Sequence, residues 1–210
     1  MYELGLYEKS MPNTLSFKEK LETVKATGFD FLEMSVDETD EKLARLEWTK
    51  EERLELVKTM YETGVSIRSM CLSGHRKYPF GSHDASVRER SMEIMEKAIE
   101  LADDLGIRVI QLAGYDVYYE EGDADTLEFF IDNLKKATLL AAKKGIVLGF
   151  ETMETPFMNT VEKSMRFVNL VDSPYLQVYP DSGNLKNASL EPGAKNVYED
   201  IELGKGHIVA

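Results

Sequence analysis

The amino-acid sequence predicts an α/β fold in which parallel strands alternate with helices and close as a barrel, on three observations. Four times a helical segment ends in a glycine that passes at once into a short β-branched or aromatic run, at Gly28, Gly64, Gly106 and Gly145. Glycine just past a helix adopts the left-handed conformation without a Cβ clash, so each of these stops a helix and turns the chain into a strand. Their spacing of 36 to 42 residues fits one strand and one helix apiece. Helix starts recur as well: Ser16 with Glu19, Thr49 with Glu52, Ser86 with Glu89 and Asn159 with Glu162 have the capping-box spacing or a close relative of it. Finally, Glu8-Lys9-Ser10-Met11-Pro12 follows the first strand, where a dinucleotide-binding sheet would carry G-x-G-x-x-G, so a barrel fits better than an open sheet.

In chain order, strands are expected at 3–7, 29–35, 65–71, 109–112, 146–151 and 176–179, with a seventh from 207 onward. The helices between them are amphipathic: Leu127, Phe130, Ile131, Leu134 and Ala141 share one face and charges take the other. Acidic runs such as 37–41 then read as solvated surface. With 210 residues and 43% apolar content, the chain suffices for a single domain over 1–210.

Charge narrows the function classes. Lys and Arg total 25 against 38 Asp and Glu, a net charge of -13, and no basic patch is concentrated enough to bind a nucleic acid. Arg76-Lys77 beside His75 suits one small phosphate, not a duplex. The single cysteine, Cys71, lies in an apolar run and reads as a buried, inert thiol. No segment approaches the roughly 18 apolar residues of a membrane span, and the N-terminus lacks the pattern of a secretion signal, so the expected compartment is the cytoplasm. Composition defines no interface, which leaves a homodimer open.

In βα barrels chemistry is built at the carboxyl ends of the strands. There the sequence places Glu8 and Lys9, Glu33 with Ser35, Ser73 and His75, Gln111 with Tyr115, Glu151 with Glu154, and Asp181 with Asn184. Any one of these is as often the cap of the following helix. Glu151 differs, because it closes the run Ile146-Val147-Leu148-Gly149-Phe150 and would be drawn into the barrel mouth, where a carboxylate needs a partner to stay charged. Asp181 ends the next strand, and neighbouring strands lie about 4.8 Å apart, so the two carboxylates are placed to share one divalent cation.

These residues resemble the L-ribulose-5-phosphate 3-epimerase family, also called L-xylulose-5-phosphate 3-epimerases, of the xylose isomerase-like TIM barrels. The resemblance is carried by Leu4-Gly5-Leu6-Tyr7-Glu8-Lys9, by the run from Gly28 to Asp40, by Ser69-Met70-Cys71-Leu72-Ser73-Gly74-His75-Arg76, by the run from Gly106 to Tyr119, by Pro180-Asp181-Ser182-Gly183-Asn184-Leu185 and by Gly206-His207-Ile208-Val209-Ala210. It implies a (β/α)8 TIM barrel, incomplete here at about six βα units plus the start of strand seven. The implied activity is interconversion of L-ribulose 5-phosphate and L-xylulose 5-phosphate by proton transfer at C3 through an enediolate, in ascorbate or pentose catabolism. The family's divalent metal ion (Zn, Mn or Mg) is held by Glu, Asp, His and Glu. By motif the first two fall on Glu151 and Asp181, while the histidine is expected two residues past Ala210 and the last glutamate further on. His207 then reads as a structural residue.

Glu151 is also the expected catalytic carboxylate, and His75, Arg76 and Glu33 the expected contacts to the sugar phosphate. Two other readings stand beside this one: an epimerase or isomerase of an unphosphorylated ketose, and an inactive truncated remnant. A damaged-DNA endonuclease of the same superfamily is disfavoured by the charge and by the presence of only three histidines.

Overall fold

The computed structural model describes residues 2–210. Six strands, β1 (Gly5–Tyr7), β2 (Phe31–Val36), β3 (Ser66–Leu72), β4 (Val109–Ala113), β5 (Val147–Glu151) and β6 (Leu176–Tyr179), form one parallel sheet in sequential order. Beyond β6, Ile208 makes a parallel bridge to Val178, with the Val178 N–H donating to the His207 carbonyl at 2.8 Å and the Val209 N–H to the Val178 carbonyl at 3.0 Å. The seventh strand expected from 207 onward is present as this bridge.

Helices α1 (Phe17–Ala26), α2 (Asp40–Leu43), α3 (Lys50–Thr63), α4 (Ala85–Leu105), α5 (Ala124–Lys144), α6 (Val161–Val171), α7 (Ser182–Ala188) and α8 (Val197–Glu202) complete the fold. Reciprocal capping boxes open α1 at Ser16 and α3 at Thr49, as their spacing predicted. The other two starts differ. Asp84, not Ser86, caps α4, because its carboxylate accepts the Ser86 N–H at 2.8 Å, and Thr160, not Asn159, caps α6. Asn159 is instead buried, with its amide donating to Glu191. Gly64, Gly106 and Gly145 end α3, α4 and α5 in the left-handed region, with φ of 73°, 76° and 67°.

The two faces of the sheet carry different chemistry. Leu32, Met34, Met70, Leu72, Ile110, Leu112, Leu148, Phe150, Leu176 and Val178 are buried in one core with the helices. At its centre Phe130 of α5 stacks edge-on against Phe157 and Phe167 at ring separations of 5.4 and 5.3 Å. The alternate residues, among them Glu33, Ser69, Cys71, Gln111, Gly149, Glu151 and Tyr179, face the other side, which is the inside of the barrel. A register shift between Leu32 and Glu33 opposite β3 keeps this alternation in phase where Arg68 is inserted.

One charged cluster pins β1 to the helices. Glu8, fully buried at 0% exposure, accepts from Lys20 at 2.7 Å, Lys42 at 2.7 Å and Arg45 at 2.6 Å, and from the Ser35 N–H at 2.9 Å. Burial alone would raise the Glu8 carboxyl; hydrogen bonds and charge from Arg45, then Lys20 and Lys42, outweigh it and hold the group far below the usual carboxylate range. Because three buried cations share this single anion, Glu8→Gln leaves them uncompensated and is expected to cost about 3–5 kcal/mol. Lys42→Met, which leaves Glu8 two cations, should cost much less. Urea denaturation of the two variants measures the difference, and equal losses would contradict the charge count.

Candidate active site

The carboxyl ends of β5 and β6 are locked together by a small hydrogen-bond lattice. The Thr152 hydroxyl accepts the Asp181 N–H at 2.9 Å, the Asn184 amide donates to the Thr152 carbonyl at 2.9 Å, and the Asp181 carboxylate accepts the Asn184 N–H at 2.6 Å. Asp181 thus caps α7 with one oxygen, as a polar strand end often does, while its other oxygen is not committed to the cap. On the other flank, β4 and β5 approach so closely after Ala113 that a Cβ on Gly114 would lie 2.5 Å from the Glu151 carbonyl oxygen. Glycine is required there by sterics.

Glu151 stands between these two contacts, at the register level of Ala113 and Tyr179. Its carboxyl is pushed up to about 7 from an ordinary 4.5, first by burial, then by the negative charge of Asp181, then by Glu33 and Glu154; Arg76 opposes them. The environment is therefore short of positive charge, the opposite of that around Glu8. No group of three or more His, Cys, Asp and Glu side chains is arranged as a metal cage among the described residues. What is present is a pair of hard oxygen donors, Glu151 at the end of β5 and Asp181 just past the end of β6, in surroundings that favour a cation.

Glu33 lies deeper. Its carboxylate accepts from the Ser69 hydroxyl and from the Tyr179 hydroxyl, each at 2.7 Å, which ties β2, β3 and β6 across the interior. A cavity of about 500 Å³ lies on this inner side, lined by Tyr7, Phe31, Glu33, Ser69 and Tyr179 among others but not by Glu151. Cys71 is buried and accepts a hydrogen bond from the Tyr7 hydroxyl at 3.5 Å; burial, with Glu151 and Glu33 nearby, pushes its thiol up to about 12, so it stays neutral.

The two residues expected to touch substrate after β3 part company. His75 is 5% exposed, packs against Phe80 at 4.5 Å and places Nε2 3.1 Å from the Ser91 carbonyl. Burial pushes its imidazole down to about 4, so it is a neutral packing residue rather than a contact facing the mouth. Arg76 does face the mouth: its guanidinium lies over Tyr118 at 4.7 Å and next to the Tyr115 hydroxyl. The loop after β4 spans the rim, with Tyr118 donating to Glu154 at 3.1 Å and Tyr119 to Glu38 at 3.0 Å. Sequence reasoning named Tyr115 only as a strand-end group and missed Tyr118, Tyr119 and Thr152, whose roles depend on how the loops fold over one another.

The profile of the xylose isomerase-like TIM barrel family matches residues 21–210. The chain is 48% identical over 207 residues to the L-ribulose-5-phosphate 3-epimerase UlaE of Escherichia coli O157:H7, and equally to that of Shigella boydii serotype 18, covering 99% of this chain and 71% of each relative. The chain belongs to this epimerase family. It is accordingly an enzyme of the isomerase class. Among solved structures, D-psicose 3-epimerase from Clostridium cellulolyticum H10 with D-tagatose superimposes with a TM-score of 0.81 at 17% identity, covering 99% of this chain and 71% of that one. An L-ribulose 3-epimerase gives 0.76 at 19% identity, covering 99% and 68%. These two share the fold. Among the described residues, no helix is long and apolar enough to cross a membrane.

The raised carboxyl of Glu151 has a consequence for stability. The folded protein holds this proton up to about pH 7, whereas an unfolded chain releases it near 4.5. Below 4.5 the group is neutral in both states. As pH rises through this window the ionised carboxylate increasingly opposes folding. In the metal-free protein, Glu151→Gln should therefore be close to neutral at pH 4.5 and stabilising by roughly 1–3 kcal/mol at pH 8. Thermal melts at the two values test this, and an equal effect at both would contradict it.

Proposed function

We propose that the protein is a divalent-metal-dependent 3-epimerase that interconverts L-ribulose 5-phosphate and L-xylulose 5-phosphate, with Glu151 as the carboxylate that exchanges a proton with C3. The observation that carries this reading is the state of Glu151: half-buried, crowded by carboxylates, and with its proton affinity raised to about pH 7 in the metal-free protein. A carboxylate set among other carboxylates at the end of a strand, rather than locked by cations as Glu8 is, is free to take a proton from a carbon beside a carbonyl. The 48% identity to L-ribulose-5-phosphate 3-epimerases supports the choice of substrate pair.

Inverting C3 of a 2-ketose means removing a proton beside a carbonyl. The resulting enediolate is then reprotonated from the opposite face. In this reading Glu151 faces one side of C3, Arg76 binds the sugar phosphate from the β3 loop, and Glu33 orients a hydroxyl through the network it shares with Ser69 and Tyr179. Glu151 and Asp181 would hold the metal ion (Zn, Mn or Mg), which supplies positive charge to the enediolate oxygens. The uncompensated charge and the hard oxygen donors fit such an ion. The sugar phosphate is then the partner, carbohydrate catabolism such as ascorbate or pentose use the setting, and the cytoplasm the compartment.

The test uses full-length protein with L-ribulose 5-phosphate in deuterated water. Deuterium should enter at C3 as L-xylulose 5-phosphate forms, and Glu151→Gln should lower the rate by about 10²–10⁴-fold. A chelator should stop exchange and added Mn²⁺ restore it. Label appearing at C1 would instead mean aldose–ketose isomerisation. Equal turnover of unphosphorylated L-ribulose would remove the phosphate from the assignment, and undiminished C3 exchange in Glu151→Gln would remove Glu151 from the mechanism.

A further inference from the structure

Six buried side-chain polar atoms have no hydrogen-bond partner among the described residues, and they are unevenly placed. Ser91 Oγ and Thr155 Oγ1 lie in α4 and in the loop after β5. The other four, Ser35 Oγ, Arg76 Nε, Gln111 Oε1 and Tyr115 Oη, belong to the barrel interior and carboxyl ends of β2, β3 and β4, the side that faces Glu151. Gln111 is 7% exposed and Tyr115 3%. Neither has a part in the chemistry assigned to Glu151.

Register fixes where Gln111 points. It pairs with Cys71 on β3 and with Gly149 on β5, one inner layer below Ala113, which pairs with Glu151. On its β5 side and next along its own strand, Gly149 and Ala113 are small and offer no polar side chain, and the Cys71 thiol on β3 is hydrogen-bonded by Tyr7. Tyr115 follows two residues after Ala113, packs its ring against Tyr118 at 5.1 Å, and sets its hydroxyl among the charges of Arg76 and Glu151. A carboxamide oxygen and a phenol therefore flank the reacting carboxylate from below and from the side. Folding leaves such atoms unpaired at a cost, and a polyhydroxylated ligand restores what they lack.

We propose that Gln111 and Tyr115 are specificity residues that read the hydroxyls of the ketose outside its C2–C3 unit, Gln111 Oε1 accepting from one hydroxyl and Tyr115 Oη donating to another. A site built to bond a hydroxyl rejects an analogue that lacks it, because its own buried polar group is then left unpaired. The inference rests on the reading of this end of the barrel as a ketose-phosphate site, and adds to it the groups that select among ketoses.

The experiment compares Tyr115→Phe and Gln111→Leu with the wild-type full-length enzyme on L-ribulose 5-phosphate and on its 1-deoxy and 4-deoxy analogues. Each variant should lose about tenfold in kcat/KM on the parent sugar, chiefly through KM, and lose nothing further on the analogue that lacks the hydroxyl it reads. Melting temperature should stay level or rise in Gln111→Leu, because that substitution removes a buried polar atom that has no partner. A lowered melting temperature with unchanged KM, or the same loss on all three sugars, would overturn the proposal. Calorimetric binding of L-ribulose 5-phosphate separates this inference from the function on which it rests. Wild-type protein that binds the sugar without epimerising it would refute the function, yet about tenfold weaker binding by the two variants would uphold the subsite; wild-type protein that does not bind it refutes both.

Discussion

A carboxylate carried indoors by an apolar strand must find a cation, several donors or a proton, and this barrel answers that constraint in two opposite ways. At the end of β1, Glu8 meets two lysines and an arginine that are themselves buried, and the result is a closed, fully bonded structural cluster. At the end of β5, Glu151 meets mainly other carboxylates, and only a raised affinity for a proton makes its position tolerable in the isolated protein. Sequence places both residues directly at strand ends. What separates structure from function is the charge that the rest of the chain delivers to each.

The arrangement around Glu151 is held by parts that do no chemistry. Gly114 lets β4 and β5 converge, and Thr152, Asp181 and Asn184 fix the turn after β6 against the end of β5. Tyr179 reaches across the interior to Glu33. A shift of one residue in register would turn Glu151 toward the helices and bring Phe150 into the barrel, so the hydrophobic pattern of β5 and the orientation of its terminal carboxylate are one specification. The helix-side core, with Phe130 at its centre, enforces that register.

Most of the architecture was legible because it follows from local rules. Helix-stopping glycines at 64, 106 and 145 and the capping boxes at Ser16 and Thr49 act within a few residues, so they survive folding unchanged. The boxes read at Ser86 and Asn159 failed because another capping residue lies one or two positions away, Asp84 and Thr160, and spacing cannot rank such competitors. At the site, the expected placement of Glu151 and Asp181 on adjacent strand ends needed only the strand order. His75 was misjudged because its neighbours Phe80 and Ser91 come from the next loop and helix, and nothing in the run Ser73-Gly74-His75-Arg76 reveals which of its two charged-type side chains turns inward. The Glu8 cluster was hidden for the same reason, since Lys20 arrives from α1 and Lys42 and Arg45 from the separate helical segment after β2.

The account depends on the oxygens of Glu151 and Asp181 addressing one point. Anomalous diffraction from crystals of the full-length protein soaked in Mn²⁺ measures this directly. A single peak at a coordination distance of about 2.0–2.3 Å from a carboxylate oxygen of each residue is the predicted result. Carboxyl groups turned to different sides of the sheet, or a manganese peak bound by neither, would contradict it.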